Sequence, residues 1–257
     1  EASGGLAVGL YQGAFRSVMK VSRSEVAEAA KVVENVYRAV NIALVNELKM
    51  VLAKMDIDIW EVLDAAETKP FGFHRFNPGP GWGGHCIPVD PFYLTWKARS
   101  VGMHTHFIER AGQINIHMPT YVVQHVQDAL NDDRKSLNGS RVLLFGIAYK
   151  GNIGDTRETP AFVIWEQLLK LRANVSYYDP HVPKIAGHLP PQIGNLQGVE
   201  CVSSGGGLDK AISDADAIVI VTTHKCVSLS VLAPYKGPII DTRNWVPDSM
   251  GLRVIKA

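Results

Sequence analysis

The pattern of apolar and polar positions divides the chain into a helical first half and an alternating second half. Between residues 22 and 54, apolar residues recur at steps of three and four, the period of an amphipathic helix. Ser22 and Glu25 have the spacing of a capping box and predict where this helix begins. So long a stripe predicts packing against a partner helix, either in a homodimer or within one domain. Its members are Val26, Ala30, Val33, Tyr37, Val40, Leu44, Leu48 and Val51.

Shorter patterns continue the helical half. We expect helices at residues 58–67 and 105–116, a break near Met118-Pro119, and a resumed helix to about residue 130. The polar run at residues 131–135 then reads as a hinge. The sequence therefore predicts an all-helical domain over residues 1–135.

The second half alternates between two kinds of pattern. Short apolar runs rich in β-branched residues predict strands at residues 141–146, 174–179, 217–222 and, as the last strand, 238–241. Helical patterns separate them at residues 161–171 and 208–212. Continuous apolar strands between helices are typical of a parallel sheet covered on both faces. The sequence thus predicts a Rossmann-like, doubly wound α/β domain over residues 136–257.

Composition narrows the class of protein. With 257 residues, 46% hydrophobic content and a net charge of +1, the chain suits one or two globular domains without a global basic field for nucleic acid or acidic membranes. No apolar run approaches the roughly 20 residues of a membrane helix, and no signal peptide is visible. Three widely spaced cysteines predict a reducing cytoplasm, with Cys201 and Cys226 as structural residues. The chain begins without Met, so we expect a piece of a longer protein.

The densest chemical signal is the stretch GWGGHCIPVDP at residues 81–91. Glycines let a loop approach a ligand closely, and we expect Pro88 to stiffen its exit and Pro91 to end it. The loop presents Cys86, and Asp90 follows four residues later, which suits covalent catalysis at a carbonyl. The alternative is a structural loop with a small buried cysteine. A zinc site from His74, His85, Cys86 and Asp90 lacks the usual ligand spacing, so we expect no metal.

Further candidates follow the predicted strands, because doubly wound sheets bind ligands outside their carboxyl ends. These are the segments 149–151, 179–181 and 242–243. The first turn lacks the GxGxxG dinucleotide fingerprint and offers Lys150 instead. Lys150 and Arg243 suit the phosphates of a nucleotide, although either residue alone would more often be a solvated surface charge. On the long helix, Lys31 and Asn35 share a face, as a surface pair or as part of a site.

Several of these segments occur together in one known family. TKPFGFHRFNPGPGWGGHCIPVDPFYLTWKAR at residues 68–99 closely resembles the active-site segment of the UDP-glucose/GDP-mannose dehydrogenase family. Residues 30–48 resemble that family's central helix, and GIAYK at 146–150 and DTRETP at 155–160 resemble its C-terminal domain. Val89 stands where the UDP-glucose branch usually has lysine, so the likeness is closer to the UDP-N-acetylhexosamine branch.

The resemblance implies an NAD-dependent oxidation of a UDP-sugar at C6, in two steps, through a thiohemiacetal and a thioester on Cys86. The residues implied for the chemistry are Cys86, Lys31, Asn35 and Asp90. Those implied for the substrate are Gly83, Gly84, Tyr149, Lys150, Arg243 and Arg75. Arg75 and His74 lie where the family places residues that reach the substrate of the neighbouring subunit. Arg157 is implied for NAD, which we expect to be bound mainly by an N-terminal domain that is absent except for a remnant at residues 6–15. A non-catalytic UDP-sugar-binding dimer and a helical interaction module are the alternatives; the module would not need the glycine-cysteine loop.

Overall fold

The computed structural model describes residues 2–186, 189, 194, 196, 199–202 and 206–257. Its first part holds the helices α1 (Ala2–Gln12), α2 (Ser24–Ala53), α3 (Ile59–Glu67), α4 (Cys86–Ser100) and α5 (His106–Asp132). Its second part holds β1 (Arg141–Phe145), α6 (Pro160–Lys170), β2 (Asn174–Tyr178), α7 (Gly206–Asp214), β3 (Ala217–Ile220), β4 (Ile239–Asp241) and β5 (Val254–Lys256). This order confirms the predicted fold class, a helical part followed by a Rossmann-like sheet. The domain division at residue 135 stays a prediction.

The strands form one parallel sheet in the order β2-β1-β3-β4-β5. Phe145 pairs with both Tyr178 and Ile220, and Ile220 pairs with Asp241, so four strands end at the same level. The prediction that the sheet ends with residues 238–241 is wrong, because β5 follows and pairs with β4. A strand of only three residues is too short to carry a readable alternation.

Apolar side chains cover both faces of the sheet, as the strand pattern predicts. One face packs against α5 and α6 around residues such as Val126, Leu144 and Trp165. The other face packs against α7 and the short 3-10 helix Leu229–Leu232. Each strand therefore contributes side chains to two cores, which is the reason for its continuous apolar run.

The long helix α2 begins later than its sequence suggests. Arg23 is its extended N-cap residue and no side chain caps it, so the predicted capping box of Ser22 and Glu25 is wrong. Most of the apolar stripe lies on the exposed side, with Val33 59% and Leu44 49% exposed. The buried side carries small and polar residues instead, namely Asn35, Ala39, Ala43, Val45, Asn46 and Lys49.

Two helices differ from the prediction around prolines. The break expected near Met118-Pro119 is wrong, since α5 runs through Pro119 without interruption. Met118 and Val122 are fully buried there, and their packing outweighs the one backbone hydrogen bond that proline removes. The glycine loop also does not extend to Pro91, because α4 begins at Cys86 and contains both prolines. Pro88 lies in the first turn, where its missing N–H would be unpaired in any case.

Candidate functional site

The level strand ends bring a set of polar groups to one edge of the sheet. The Asp179 carboxylate, fully buried after β2, accepts hydrogen bonds from the backbone N–H groups of Ile147 and Ala148 at 2.8 and 3.0 Å. Its Oδ2 also lies 3.1 Å from Nε2 of His224, which follows β3. Despite its burial, these donors hold the pKa of Asp179 below the usual range. The carboxylate therefore fixes the turn after β1 and ties it to the end of β3.

A cavity of about 550 Å³ opens at this edge and is lined by three of the predicted substrate residues, Tyr149, Lys150 and Arg243. Nε of Arg243 donates to the carbonyl of Val221 at 2.7 Å, which fixes the plane of the guanidinium. Its terminal nitrogens make no hydrogen bond to any residue within the described ranges. The guanidinium therefore has free donors beside the cavity, and bidentate donors of this kind suit phosphate.

The glycine loop packs against the same edge of the sheet. A Cβ on Gly83 would lie 2.7 Å from Cβ of Tyr149, and a Cβ on Gly84 would lie 2.7 Å from its ring. The N–H of Gly84 donates to the carbonyl of Arg157 at 3.0 Å. Close packing against Tyr149 therefore requires glycine at both positions. This contact joins the glycine loop, which belongs to the helical part, to the edge of the sheet where the polar groups lie.

Two of the predicted catalytic residues lie together. Nδ2 of Asn35 on α2 donates to Oδ2 of Asp90 on α4 at 2.7 Å. Cys86, the exposed first residue of α4, is one helical turn before Asp90, so the two share a face. Lys31 is turned elsewhere, because its Nζ pairs with Glu34 at 3.0 Å on the exposed surface. The structure thus joins Asn35 to Asp90 and leaves Lys31 in a solvent ion pair.

Arg157 and Arg75 lie in different places. Arg157 forms a forked pair with Asp155, which raises the pKa of its guanidinium. It lines a second cavity of about 590 Å³ together with Trp82 and His85. Arg75 instead uses its guanidinium within the helical part, on Asp64, Glu67 and Asn77. It is not among the residues that line the cavity of Tyr149, Lys150 and Arg243. His74 stacks on Phe76 beside it.

Sequence reasoning missed His224 and Thr222, which line the first cavity. Both follow β3, so the rule that ligands bind at the carboxyl ends of strands would have found them if applied to that strand as well. It also missed Lys49 on the buried side of α2, for which no local pattern gives a signal.

The three cysteines differ in exposure. The interpretation of Cys226 as a structural residue is wrong, because it is exposed after β3 with its Sγ 3.7 Å from Nε2 of His181. Cys201 is half-buried and packs against both cores. Burial raises the pKa of its thiol, which lowers its thiolate fraction at neutral pH.

Alkylation should therefore distinguish these thiols. Iodoacetamide at neutral pH should modify Cys86 at least about tenfold faster than Cys201, because both burial and the raised pKa protect Cys201. Mass spectrometry of digested samples gives the rates, and the urea-unfolded chain is the control in which the sites should react alike. Equal rates for Cys86 and Cys201 in the folded chain would contradict the arrangement.

The part of the chain that the structure describes contains neither a membrane-spanning helix nor a cluster of metal ligands. No helix there combines the length and apolar character needed to cross a bilayer. No group of three His, Cys, Asp or Glu side chains within those residues is placed to hold a metal ion.

Two segments of the chain match one protein family. Residues 25–117 match the UDP-glucose/GDP-mannose dehydrogenase family, central domain. Residues 143–248 match the UDP binding domain of the same family. The cavity lined by Tyr149, Lys150 and Arg243 lies in the second segment.

Two curated proteins similar to the chain are named as nucleotide-sugar dehydrogenases. A UDP-N-acetyl-D-mannosamine dehydrogenase from Methanococcus maripaludis is 33% identical over 215 residues, which cover 84% of this chain and 45% of that protein. A UDP-N-acetyl-D-glucosamine 6-dehydrogenase from Pseudomonas aeruginosa is 45% identical over 163 residues, which cover 63% of this chain and 38% of that protein. The chain thus spans less than half the length of these relatives.

Solved structures show the same likeness. The UDP-D-ManNAc dehydrogenase from Pyrococcus horikoshii has a TM-score of 0.82 and 29% identity, covering 100% of this chain and 57% of that one. The UDP-N-acetyl-mannosamine dehydrogenase Cap5O from Staphylococcus aureus has a TM-score of 0.70 and 33% identity, covering 95% of this chain and 53% of that one.

Proposed function

This chain belongs to the UDP-glucose/GDP-mannose dehydrogenase family, and we propose that it is the part of an NAD-dependent UDP-sugar 6-dehydrogenase that binds the UDP-sugar and carries the reactive cysteine. One observation carries the proposal: Tyr149, Lys150 and Arg243 line a single cavity inside the segment that matches the UDP binding domain. The free donors of Arg243 and the cation of Lys150 suit a diphosphate. The substrate class that the named relatives and Val89 favour is a UDP-N-acetylhexosamine, with UDP-glucose as the alternative.

The geometry also bears on NAD. In a dinucleotide-binding sheet, the backbone N–H groups of the first turn face the pyrophosphate. Here the N–H groups of Ile147 and Ala148 are taken by the Asp179 carboxylate, so this turn does not fit NAD in the usual way. What fits is Arg157, whose side chain is 67% exposed beside the second cavity. When bound, NAD would supply the hydride acceptor for both oxidations, and Arg157 would be this chain's contact with it.

The proposed chemistry assigns one task to each residue. Oxidation of the C6 alcohol gives an aldehyde, and Sγ of Cys86 adds to its carbonyl carbon to form a thiohemiacetal. Loss of a second hydride, together with the hydroxyl proton of the thiohemiacetal, leaves a thioester, and water then cleaves the carbon–sulfur bond to give a carboxylate and the free thiol. Asp90, held by Asn35, would take the proton of that water. Lys31 would stabilise the oxyanion after leaving its exposed pair with Glu34.

Binding of UDP and of NAD, measured separately by calorimetry, tests the proposal. We expect the chain to bind UDP at one site and to bind NAD far more weakly. A folded chain that binds no UDP would overturn the proposal. A chain that binds UDP-sugar, but oxidises none when it is joined to an NAD-binding domain and supplied with NAD, would favour the alternative of a non-catalytic UDP-sugar-binding dimer. The cytoplasmic location stays a prediction.

The proposed assembly is a homodimer through the exposed stripe of α2. Val33, Leu44 and Val51 are 59%, 49% and 51% exposed, and such a stripe is typical of the apolar centre of an obligate interface. Light scattering at micromolar concentration should give twice the mass of the chain, and Leu44→Arg with Leu48→Arg should give the single mass. Leu171→Arg, an equally exposed site on the other half, is the matched control. A monomeric wild-type chain would contradict the dimer.

A further inference from the structure

The buried side of α2 contains a lysine without a partner. Lys49 is 2% exposed, and its Nζ has no hydrogen-bond partner among the described residues. Lysine is almost never fully buried unless it is paired, since an ammonium group loses most of its hydration in the interior. A buried amine of this kind costs stability.

A series of contacts connects the neighbourhood of Lys49 to the cavity lined by Tyr149, Lys150 and Arg243. One turn earlier on α2, the Oδ1 atom of Asn46 accepts the N–H of Gly79 at 2.9 Å. Gly79 in turn lies against Arg243, because a Cβ at this position would be 2.7 Å from a terminal guanidinium nitrogen. Gly79 therefore connects α2 to the Arg243 guanidinium, and Arg243 lines the cavity.

The charges around Lys49 come from several elements. Burial lowers the pKa of Lys49 to about 7, Asp241 and Asp58 oppose the shift, and the cation of Arg243 adds to it. The Asp241 carboxylate is held by the backbone N–H groups of Arg243, Trp245 and Val246, and that of Asp58 by Lys256. From α5, His125 faces the same region, and burial followed by the charge of Lys49 lowers its own pKa. The pKa of the Lys49 amine therefore lies near 7, and that of the His125 imidazole lies below its ordinary value.

We propose that Lys49 is a positioning residue of the nucleotide site that acts through Arg243, and that the amine takes up a proton when a diphosphate binds. The inference rests on the proposed function, because it requires an anion at Arg243. In the empty site, the Arg243 cation repels a proton on Lys49. A bound diphosphate neutralises that cation, so the complex holds more protons at Lys49 than the free chain does. By linkage, affinity for the ligand is highest below the titration of free Lys49 and falls as the pH rises through it.

An NMR titration of the chain labelled with ¹³C at lysine Cε tests the inference, with and without UDP-N-acetylglucosamine. Its diphosphate is a diester and has no proton that titrates near neutral pH. We expect one lysine signal to titrate near pH 7 in the free chain, about three pH units below the ordinary pKa of a lysine amine. Saturating ligand should raise that midpoint by about one pH unit, and the affinity should fall about tenfold between low and high pH.

The signal that titrates near pH 7 should be missing from Lys49→Met, which assigns it to Lys49. This variant should bind UDP-N-acetylglucosamine with an affinity that does not fall between low and high pH. Lys49→Gln serves the same purpose if the methionine variant does not fold, and Lys54→Met on the exposed end of α2 is the matched control. Binding with an unmoved midpoint, or the absence of any lysine that titrates below about pH 9, overturns the role of Lys49 alone. A ligand that binds at no pH overturns the proposed function together with this inference.

Discussion

Replacing Gly146 by alanine should destabilise the chain by at least about 4 kcal/mol, a large part of the stability of an ordinary domain. Gly146 has a φ of +78° directly after β1, and a Cβ there would lie 2.0 Å from the carbonyl oxygen of Thr222. The clash is with a backbone atom, so rotation of a side chain cannot relieve it. The strain of the left-handed backbone and the clash could be relieved only if β1 moved away from β3. Urea unfolding followed by circular dichroism measures the loss.

Gly139→Ala is the matched control for this prediction. Gly139 also has a positive φ, +87°, yet nothing lies within 4 Å of a Cβ built on it. Its substitution should cost only the backbone strain, about 1 kcal/mol. If both variants lose the same stability, the close approach of the β1 turn to Thr222 is not what requires glycine at position 146.

Replacing Arg243 by methionine should weaken the binding of UDP by about a hundredfold, since charge-assisted hydrogen bonds to phosphate contribute up to about 3 kcal/mol. The two terminal nitrogens of Arg243 make no hydrogen bond within the described residues, and Arg243 lines the cavity. Nε donates to the Val221 carbonyl and holds the guanidinium in place. Arg243→Lys should recover part of the affinity, because lysine restores the charge but not the fork of donors. Calorimetry with UDP gives the dissociation constants.

The control for Arg243 is Arg141→Met. Arg141 begins β1 at the opposite edge of the same sheet, and its side chain forms long ion pairs, at 3.8 and 3.9 Å, with Asp216 and Asp214. Its loss removes the same charge from the domain without touching the cavity, so affinity should change little at moderate salt. Equal losses for the two variants would mean that net charge, and not the Arg243 fork, attracts the nucleotide.

The sequence by itself determined four of the five strands, most of the helices and the edge of the sheet at which the candidate site lies. Apolar periodicity separates the helical part from the sheet, because the buried faces of helices and strands repeat with periods set by local backbone geometry. Parallel strands share one direction, so the residues after β1 and β4 had to meet at their carboxyl ends. This rule places Tyr149, Lys150 and Arg243 at one edge of the sheet, and all three line the cavity there.

Only the tertiary structure decided where the helices begin and end and which side of each helix is buried. The start of α4 at Cys86 and the unbroken course of α5 through Pro119 depend on packing, which overrides the local preference of proline. The same holds for Arg75, whose partners Asp64 and Glu67 lie on another element, α3.

The two sides of α2 are the clearest case of this difference. Its apolar side is exposed in the single chain and its buried side carries Asn35, Asn46 and Lys49. Periodicity alone predicts that the apolar side is buried, in a core or in an interface. The contacts that bury a polar residue come from segments far away in sequence, such as Gly79, Asp90 and Asn115. A buried amide or amine is stable only where those partners or charges arrive, and their arrival is decided by the assembled fold.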